Sequence, residues 1–359
     1  MSKLKWHIIV FALWLAFSGV AAAEQLYVNE SGWWRDGGAF NVDGAPIQAA
    51  VDAAGAGDSI YVWNGSYSEN IYISVASLIL QGEGADVVTV TAASSMGHVF
   101  YVAANWVNIS GFTVTGATGS TKAGICLYSA DHCNIYNNNA SNNKNGIYLS
   151  CSSNNTLTKN TISGNTYDFG VSGSDLSHYI QNIDTSNTVG GKPIYYWVGQ
   201  KDKQIPGDAG FVGVVNSTNI TVRDIFLTNN RQGVLFTHTE NSKMENVTTS
   251  NNEYGIYLSS SSNYNTLTKN TANSNNENGI GLSYSSNNTL MKNTANSNIG
   301  DGIHISSYLY SSTNNTLTNN NCSNNRYGIY LFNTNNNNIT CNLVQNNMYQ
   351  GFYLGLVKN

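Results

Sequence analysis

Side chains able to do acid–base or metal chemistry are sparse in these 359 residues, and several of them recur at a fixed spacing. Arg223 precedes Glu245, and Arg231 precedes Glu253, by the same interval of 22 residues. In a chain that repeats with that period, each arginine comes to lie over its glutamate as an ion pair between adjacent turns, worth only ~0–1 kcal/mol where exposed. Glu253 and Glu277 form the one stacked pair of acids, at a turn. Glycosidic cleavage by acid and base needs carboxylates that face each other across a sugar. No such cluster is legible, and no catalytic residue is assigned. The histidines, His98, His132, His178, His238 and His304, are scattered, and adjacent His132 and Cys133 point to opposite faces of a strand. His238 and Glu240 share a face, a weak signal. No metal site is assigned, and neither copper nor calcium is indicated by a ligand cluster.

Aromatic residues offer a different chemistry. The position after each Gly-Ile pair gives an outward column of Tyr148, Leu235, Tyr257, Gly281, His304, Tyr330 and Tyr353. Aromatic faces flanked by Asn and Ser suit sugar rings, which are apolar on their faces and polar at their edges. Tyrosine also simply favours exposed strands, so the column has a purely structural reading too. A second candidate is the segment Tyr195, Tyr196 and Trp197, beside Lys201, Asp202, Lys203 and Asp208 in an otherwise charge-poor chain. It breaks the repeat over residues 173–216, and loops on rigid scaffolds often carry function. The candidate ligand-binding residues are therefore Tyr257, His304, Tyr330, Tyr353, Tyr195, Tyr196, Trp197, Asp202 and Asp208.

The elements that hold these residues follow from the repeat. Gly124, Gly146, Gly233, Gly255, Gly279, Gly302, Gly328 and Gly351 each open a Gly-Ile phrase, about 22 to 26 residues apart within each run. Between them falls a second short phrase, "NTL" or a relative. A unit with two or more short strands cannot bury its apolar side alone, so it must pair with the units before and after it. Alternation turns Ile256 and Leu258 inward and Tyr257 outward. Glycine before the strand suits a turn with positive φ, and Asn tolerates left-handed backbone and can form ladders with the Asn one turn away. The N-terminal part differs: Ile47, Ala50, Val51 and Ala54 mark one face of a helix, near residues 46–54, that caps the first turn. The last turn has no evident cap, which predicts self-association, docking of a protein partner there, or a truncated reading frame.

The helix, "GDSIYVWNGSYSENIYIS" and "LILQGEG" together resemble the opening of parallel β-helix proteins of the pectin-lyase-like superfamily. The Gly-Ile and NTL turns resemble that superfamily's carbohydrate-binding and sugar-hydrolase (CASH) repeats. Residues 187–230, from "NTVGGKPIYYWVGQ" to "IFLTNN", resemble the NosD-like family of exported β-helix proteins. The resemblance implies an all-β, single-stranded, right-handed parallel β-helix with an N-terminal capping α-helix, arranged as a signal peptide (1–23), an N-terminal segment with the helix (24–58) and the β-helix (59–359), with 173–216 an irregular insertion. It implies a periplasmic or cell-surface scaffold that recognises a polysaccharide, a cell-surface glycan or a protein. A polysaccharide lyase or hydrolase, or a copper-processing accessory factor for nitrous oxide reductase, is the alternative.

Composition narrows the partners. Charged residues make up 10% and the net charge is −5, so no basic field exists to hold nucleic acid. Lys3 and Lys5 ahead of an apolar run and Ala21-Ala22-Ala23 read as an export signal, after which no segment could span a membrane. That places the mature chain in the periplasm, at the cell surface or outside the cell. The five cysteines form no C-x-x-C, and an odd number leaves at least one unpaired in a monomer.

Overall fold

The computed structural model describes residues 22–307 and 312–356. All but the last two residues of the predicted signal peptide lie outside them. The chain winds as a right-handed parallel β-solenoid of about 13 turns. Each turn lays its short strands against the same strands of the turns before and after. Ile256 stands beside Ile280, Ile280 beside Ile303, and Ile303 beside Ile329. These residues, with Leu258, Leu282, Ile305 and Leu331, are buried in an aliphatic core.

The corners of the solenoid are held by asparagine. In the second half, Asn230, Asn252, Asn275, Asn298, Asn325 and Asn347 follow one another up one corner, each backbone N–H donating to the next carboxamide oxygen at 2.8–3.1 Å. Asn270, Asn293, Asn320 and Asn342 do the same at another corner, at 2.9–3.0 Å. Asn293 shows the full pattern: its Nδ2 donates to Asn320 Oδ1 at 3.0 Å and to the Leu267 carbonyl at 2.9 Å. Buried backbone groups that turn away from the strands are thereby paired. The residue before each ladder member adopts left-handed backbone, as at Asn251 (φ 56°), Lys269 (φ 56°) and Asn319 (φ 55°). In an Asn-Asn pair the first residue makes the bend and the second joins the ladder.

The Gly-Ile glycines serve a different need from the one expected. None of them has positive φ. A Cβ on Gly255 would lie 2.4 Å from the Gly279 carbonyl oxygen and 2.8 Å from Asn275 Nδ2, and one on Gly328 would lie 2.5 Å from the Gly351 oxygen. Close approach of turn to turn, not backbone angle, excludes a side chain there. The predicted ion pairs also divide. Arg223 is in register with Glu245, but its Nε meets Asp224 at 2.9 Å while Glu245 takes Lys243 at 2.6 Å. On this open surface each side chain takes a carboxylate or amine of its own turn. Arg231 and Glu253 do pair, at 2.8 Å, and are largely buried rather than exposed.

The α-helix, α1 (Pro46–Ala53), packs Ile47, Ala50 and Val51 onto the first turns. Its own N-cap residue makes no side-chain bond. The Glu69 carboxylate instead accepts the N–H groups of Ile47 and Gln48 at 3.0 and 2.8 Å, a negative group at the positive end of the helix. Segment 24–58 also supplies a rung, since Gln25–Asn29 pairs in parallel with Ser59–Val62. At the other end, Phe352 and Leu354 continue the inward positions of Ile329 and Leu331 and are exposed.

Residues 173–216 are a joint between two solenoid segments. Gly190 and Gly191, both at positive φ, turn the chain so that Lys192–Val198 runs antiparallel to Thr188–Val189, after which parallel pairing resumes. Phe211–Val215 and Gln232–Thr237 are buried on both faces. Val212, Val214, Val234 and Phe236 join the second core, while Phe211, Val215 and Leu235 join the first.

One ladder ends at this joint on an acid. Asn165 donates its N–H and Nδ2 to Asp168 Oδ1 at 3.1 and 2.9 Å, and Asn230, which opens the next ladder, leaves its buried Oδ1 unpartnered. Burial raises the Asp168 pKa from 3.8 to about 6, against the hydrogen bonds from Asn165, which lower it. The stability contributed by the neutral carboxyl is complete below the unfolded value and is lost as pH rises through about 6. Urea unfolding at pH 5 and pH 7.5 will show wild type losing about 1.4 kcal/mol at the higher pH relative to Asp168→Asn. Identical pH profiles for the two proteins would contradict this reading of the joint.

Candidate functional site

A groove lies on the outer face of the sheet formed by Ile71–Ile73, Phe100–Val102, Ala123–Tyr128, Asn145–Ser150 and Tyr167–Ser172. Register stacks its outward residues as Tyr72, Tyr101, Cys126, Tyr148 and Gly170. Tyr72 and Tyr101 stack with centroids 5.5 Å apart and planes 21° apart. On the next rung Cys126 replaces the ring. Tyr101 and Tyr148 are consequently two rungs apart, roughly 9.5 Å, with the His98 ring taking up part of that gap on the Tyr101 side. The recess has a volume of about 560 Å³, with Asn70, His98, Thr121, Lys122, Tyr128 and Ser150 around it. That is within the usual size of a small-ligand site.

Burial pushes the Cys126 thiol up to about 12, so it is a small neutral floor and not a nucleophile. His98 stacks on Tyr101 at 5.1 Å and its Nδ1 accepts the Ala123 N–H at 3.1 Å. Its proton therefore sits on Nε2, as a donor. Burial, aided by the Lys122 charge, lowers its pKa to about 4. On the far side of Tyr148 the Arg231 guanidinium lies 4.2 Å over the ring, anchored by Glu253. None of the side chains that line the recess is a carboxylate.

The residues singled out from sequence fall elsewhere. His304, Tyr330 and Tyr353 do form an outward column on the second half, in register. Their rings stack on one another, His304 on Tyr330 at 4.7 Å and 10°, Tyr330 on Tyr353 at 4.6 Å and 5°. The faces expected to meet sugar are thus turned to each other, because rung spacing matches ring stacking. His304 Nδ1 lies 2.7 Å from the fully buried Asp301, which Arg326 also grips at 3.0 and 3.2 Å. Burial pushes the Asp301 carboxyl up, but bonds from His304 and Arg326 outweigh it and hold the pKa below the ordinary value. Leu235 is wholly buried, and Tyr257 leans over Gly281 and lines a small recess with Tyr179, Ser259, Ser283 and Tyr284.

In the joint, Tyr196 is buried and its hydroxyl donates to the Tyr179 carbonyl at 2.7 Å. Its place is in the interior, since outward positions there are covered by Leu176–Tyr179. Tyr195 donates to Asp208 at 2.9 Å, Trp197 lies beneath Lys203 at 5.8 Å, and Asp202 accepts from Asn219 at 2.7 Å. The structure does not bring the two predicted groups together. His132 stacks on Trp106 at 4.1 Å while Cys133 is buried, so they do point apart. All five cysteines are free. Sequence reading missed Tyr72, Tyr101 and His98, because their turns lack the Gly-Ile phrase, and passed over Lys122, Cys126 and Tyr128 on the Gly124-Ile125 turn, where the residue after the phrase is not aromatic. Alternation in "NIYIS" and "HVFYV" places Tyr72 and Tyr101 outward and was the available signal.

Fold and groove together define a right-handed parallel β-helix protein. Residues 180–355 match the family described as "Periplasmic copper-binding protein (NosD)", and residues 57–202 match "Right handed beta helix region". The chain is thus a right-handed β-helix protein with a NosD-like segment. Among solved structures it is similar to the A-module of the Azotobacter vinelandii mannuronan C-5 epimerase AlgE6, at 16% identity and a TM-score of 0.40 over 87% of this chain and 93% of that one. The AlgE4 A-module of the same organism gives 14% identity and 0.39 over 88% and 95%. An alginate lyase from Paenibacillus sp. str. FPU-7 gives 12% and 0.33 over 88% and 97%. No curated protein matches the chain.

The state of His98 is open to direct measurement. NMR of the imidazole nitrogens will show a neutral ring protonated on Nε2 at pH 6, gaining its second proton only near pH 4. A midpoint near 6.5 would contradict the burial and the Ala123 hydrogen bond.

Proposed function

We propose that this chain is an exported saccharide-binding protein of the periplasm or cell surface, and that its ligand occupies the slot between Tyr101 and Tyr148. The vacated rung at Cys126 carries the proposal. An unbroken column of rings would satisfy itself by stacking, as His304, Tyr330 and Tyr353 do. Replacing one ring by a small side chain leaves that rung open between the Tyr148 ring and the His98–Tyr101 stack. Asn70, Thr121, Lys122, Ser150 and the His98 Nε2–H supply polar groups around it. Apolar faces with polar edges describe a sugar ring.

Binding, not turnover, is the reading the lining favours. Cleavage through paired acids requires two carboxylates on either side of the scissile bond, and the recess is lined by none. The copper role in the family's description is not adopted for this chain, because among the described residues no three His, Cys, Asp or Glu side chains gather as ligands.

A glycan array of neutral and anionic polysaccharides, probed with the mature chain, tests the proposal. Wild type will be retained on at least one saccharide, and Tyr101→Ala or Tyr148→Ala will each weaken retention by about three- to tenfold, the worth of one stacking contact. Cys126→Tyr will complete the column and abolish retention with no loss of thermal stability. Retention unchanged in Cys126→Tyr, or no retention of wild type on any saccharide, would overturn it.

A further inference from the structure

A second recess, of about 380 Å³, lies between the joint and the outer wall of the later turns, and it shares no residue with the first. The joint contributes Gly173, Ser174 and Tyr179. Tyr179 is held in place, because its hydroxyl accepts the Gly173 N–H at 3.1 Å and donates to the Gly173 carbonyl at 2.8 Å. On the wall, the paired strands Tyr254–Ser259 and Ile280–Ser283 end on Ser259 and Ser283. Tyr257 leans over Gly281, where a Cβ would lie 3.0 Å from its ring.

The corner after Ser259 is longer than others in the same position. Leu157, Met244, Leu290 and Ile339 come 11 positions after Gly146, Gly233, Gly279 and Gly328, whereas Leu267 comes 12 after Gly255. Where those shorter corners leave the strand, one residue takes left-handed backbone: Cys151 (φ 50°), His238 (φ 49°), Tyr284 (φ 51°) and Asn333 (φ 53°). Here two successive residues do, Ser260 (φ 43°) and Ser261 (φ 62°). Their N–H groups both bond to the next turn, at the Ser283 and Tyr284 carbonyls, at 3.0 and 2.8 Å. The extra residue is thus tied into the wall, and both serines line the recess.

Every side chain that lines this recess belongs to serine or tyrosine, and none is charged. A carboxylate or ammonium group entering it would lose hydration with no opposite charge to replace the water. An apolar ligand would strip water from the hydroxyls and leave them unpaired. The buried Ser259 Oγ, beside the Tyr179 hydroxyl, already lacks a hydrogen bond of ordinary geometry. A hydroxyl both donates and accepts, so an uncharged ligand that carries several hydroxyls answers the lining on every side. The volume lies at the small end of ligand sites. We infer that this recess is a second binding site, that it takes a neutral sugar, and that the lengthened Ser260–Ser261 corner creates it.

Isothermal titration and saturation-transfer NMR of the full mature chain test the inference, with the methyl glycosides of glucose, galactose, mannose and N-acetylglucosamine, and with glucuronate and glucosamine as charged counterparts. At least one neutral glycoside will bind, and the charged sugars will bind at least tenfold more weakly. Deleting Ser260 gives the corner the length it has after Gly146 and Gly279, so the melting temperature will hold while affinity falls at least tenfold. Ser259→Ala, which leaves the backbone untouched, will weaken binding about fivefold or more. Failure of every neutral glycoside to bind, equal binding of the charged sugars, or affinity unaltered in both variants would overturn the inference. Binding lost in Tyr101→Ala and kept in Ser259→Ala would assign the sugar to the first recess, overturning this inference while leaving the saccharide reading standing.

Discussion

At the asparagine corners of the solenoid a buried backbone N–H points along the axis towards the next turn. Something must accept it. The carboxamide of asparagine can, and it can at the same time donate its own two hydrogens to the turns on either side. One Asn per corner per turn therefore ties three successive turns together, as Asn293 ties Asn270, Asn320 and the Leu267 carbonyl. Leaving one such buried group unmade costs ~1–3 kcal/mol. The ladders run from turn to turn over Asn138–Asn187 and Asn230–Asn347, and there they fix register.

Register in turn decides what the outer surface can be. Side chains at one position stand about 4.8 Å from their counterparts, close to the distance at which aromatic rings stack. A column of tyrosines on such a wall consumes its own faces and presents edges. The column is interrupted at Cys126, where no ring follows Tyr101. The same rule explains why the longer, more regular column through His304, Tyr330 and Tyr353 is the less inviting one. It also explains why the joint matters. By turning the chain at Gly190 and Gly191 it ends the first column, buries Leu235 and brings Arg231 across Tyr148.

Much of this was legible beforehand. The Gly-Ile and NTL phrases announce their own period, and alternation about Ile256 and Ile329 suffices to assign the inward face. Asparagine ladders follow from polar residues recurring where a buried corner must lie. The role of the glycines was not legible, because a requirement for space and one for positive φ select the same residue, and only the structure, where a Cβ on Gly255 would meet the Gly279 oxygen at 2.4 Å, separates them. Arg223 and Glu245 showed that register does not guarantee pairing, since each found a partner within its own turn. The groove escaped notice for a third reason. Its early turns vary in length, so Tyr72, Tyr101 and Cys126 align only when the strands are paired in space. Residues 173–216, which break the repeat in sequence, carry strands that continue it in space after one reversal.

Hydrogen exchange at the corners is the most direct test of the ladders. The backbone amides of Asn252, Asn275 and Asn298 sit outside the named strands yet donate to side-chain oxygens one turn on. Exchange followed by mass spectrometry, on peptides that separate corners from strands, will find these amides protected as strongly as those of the strand Tyr254–Ser259. Corner amides that exchange at the rate of an open turn, while the strands remain protected, would contradict the account.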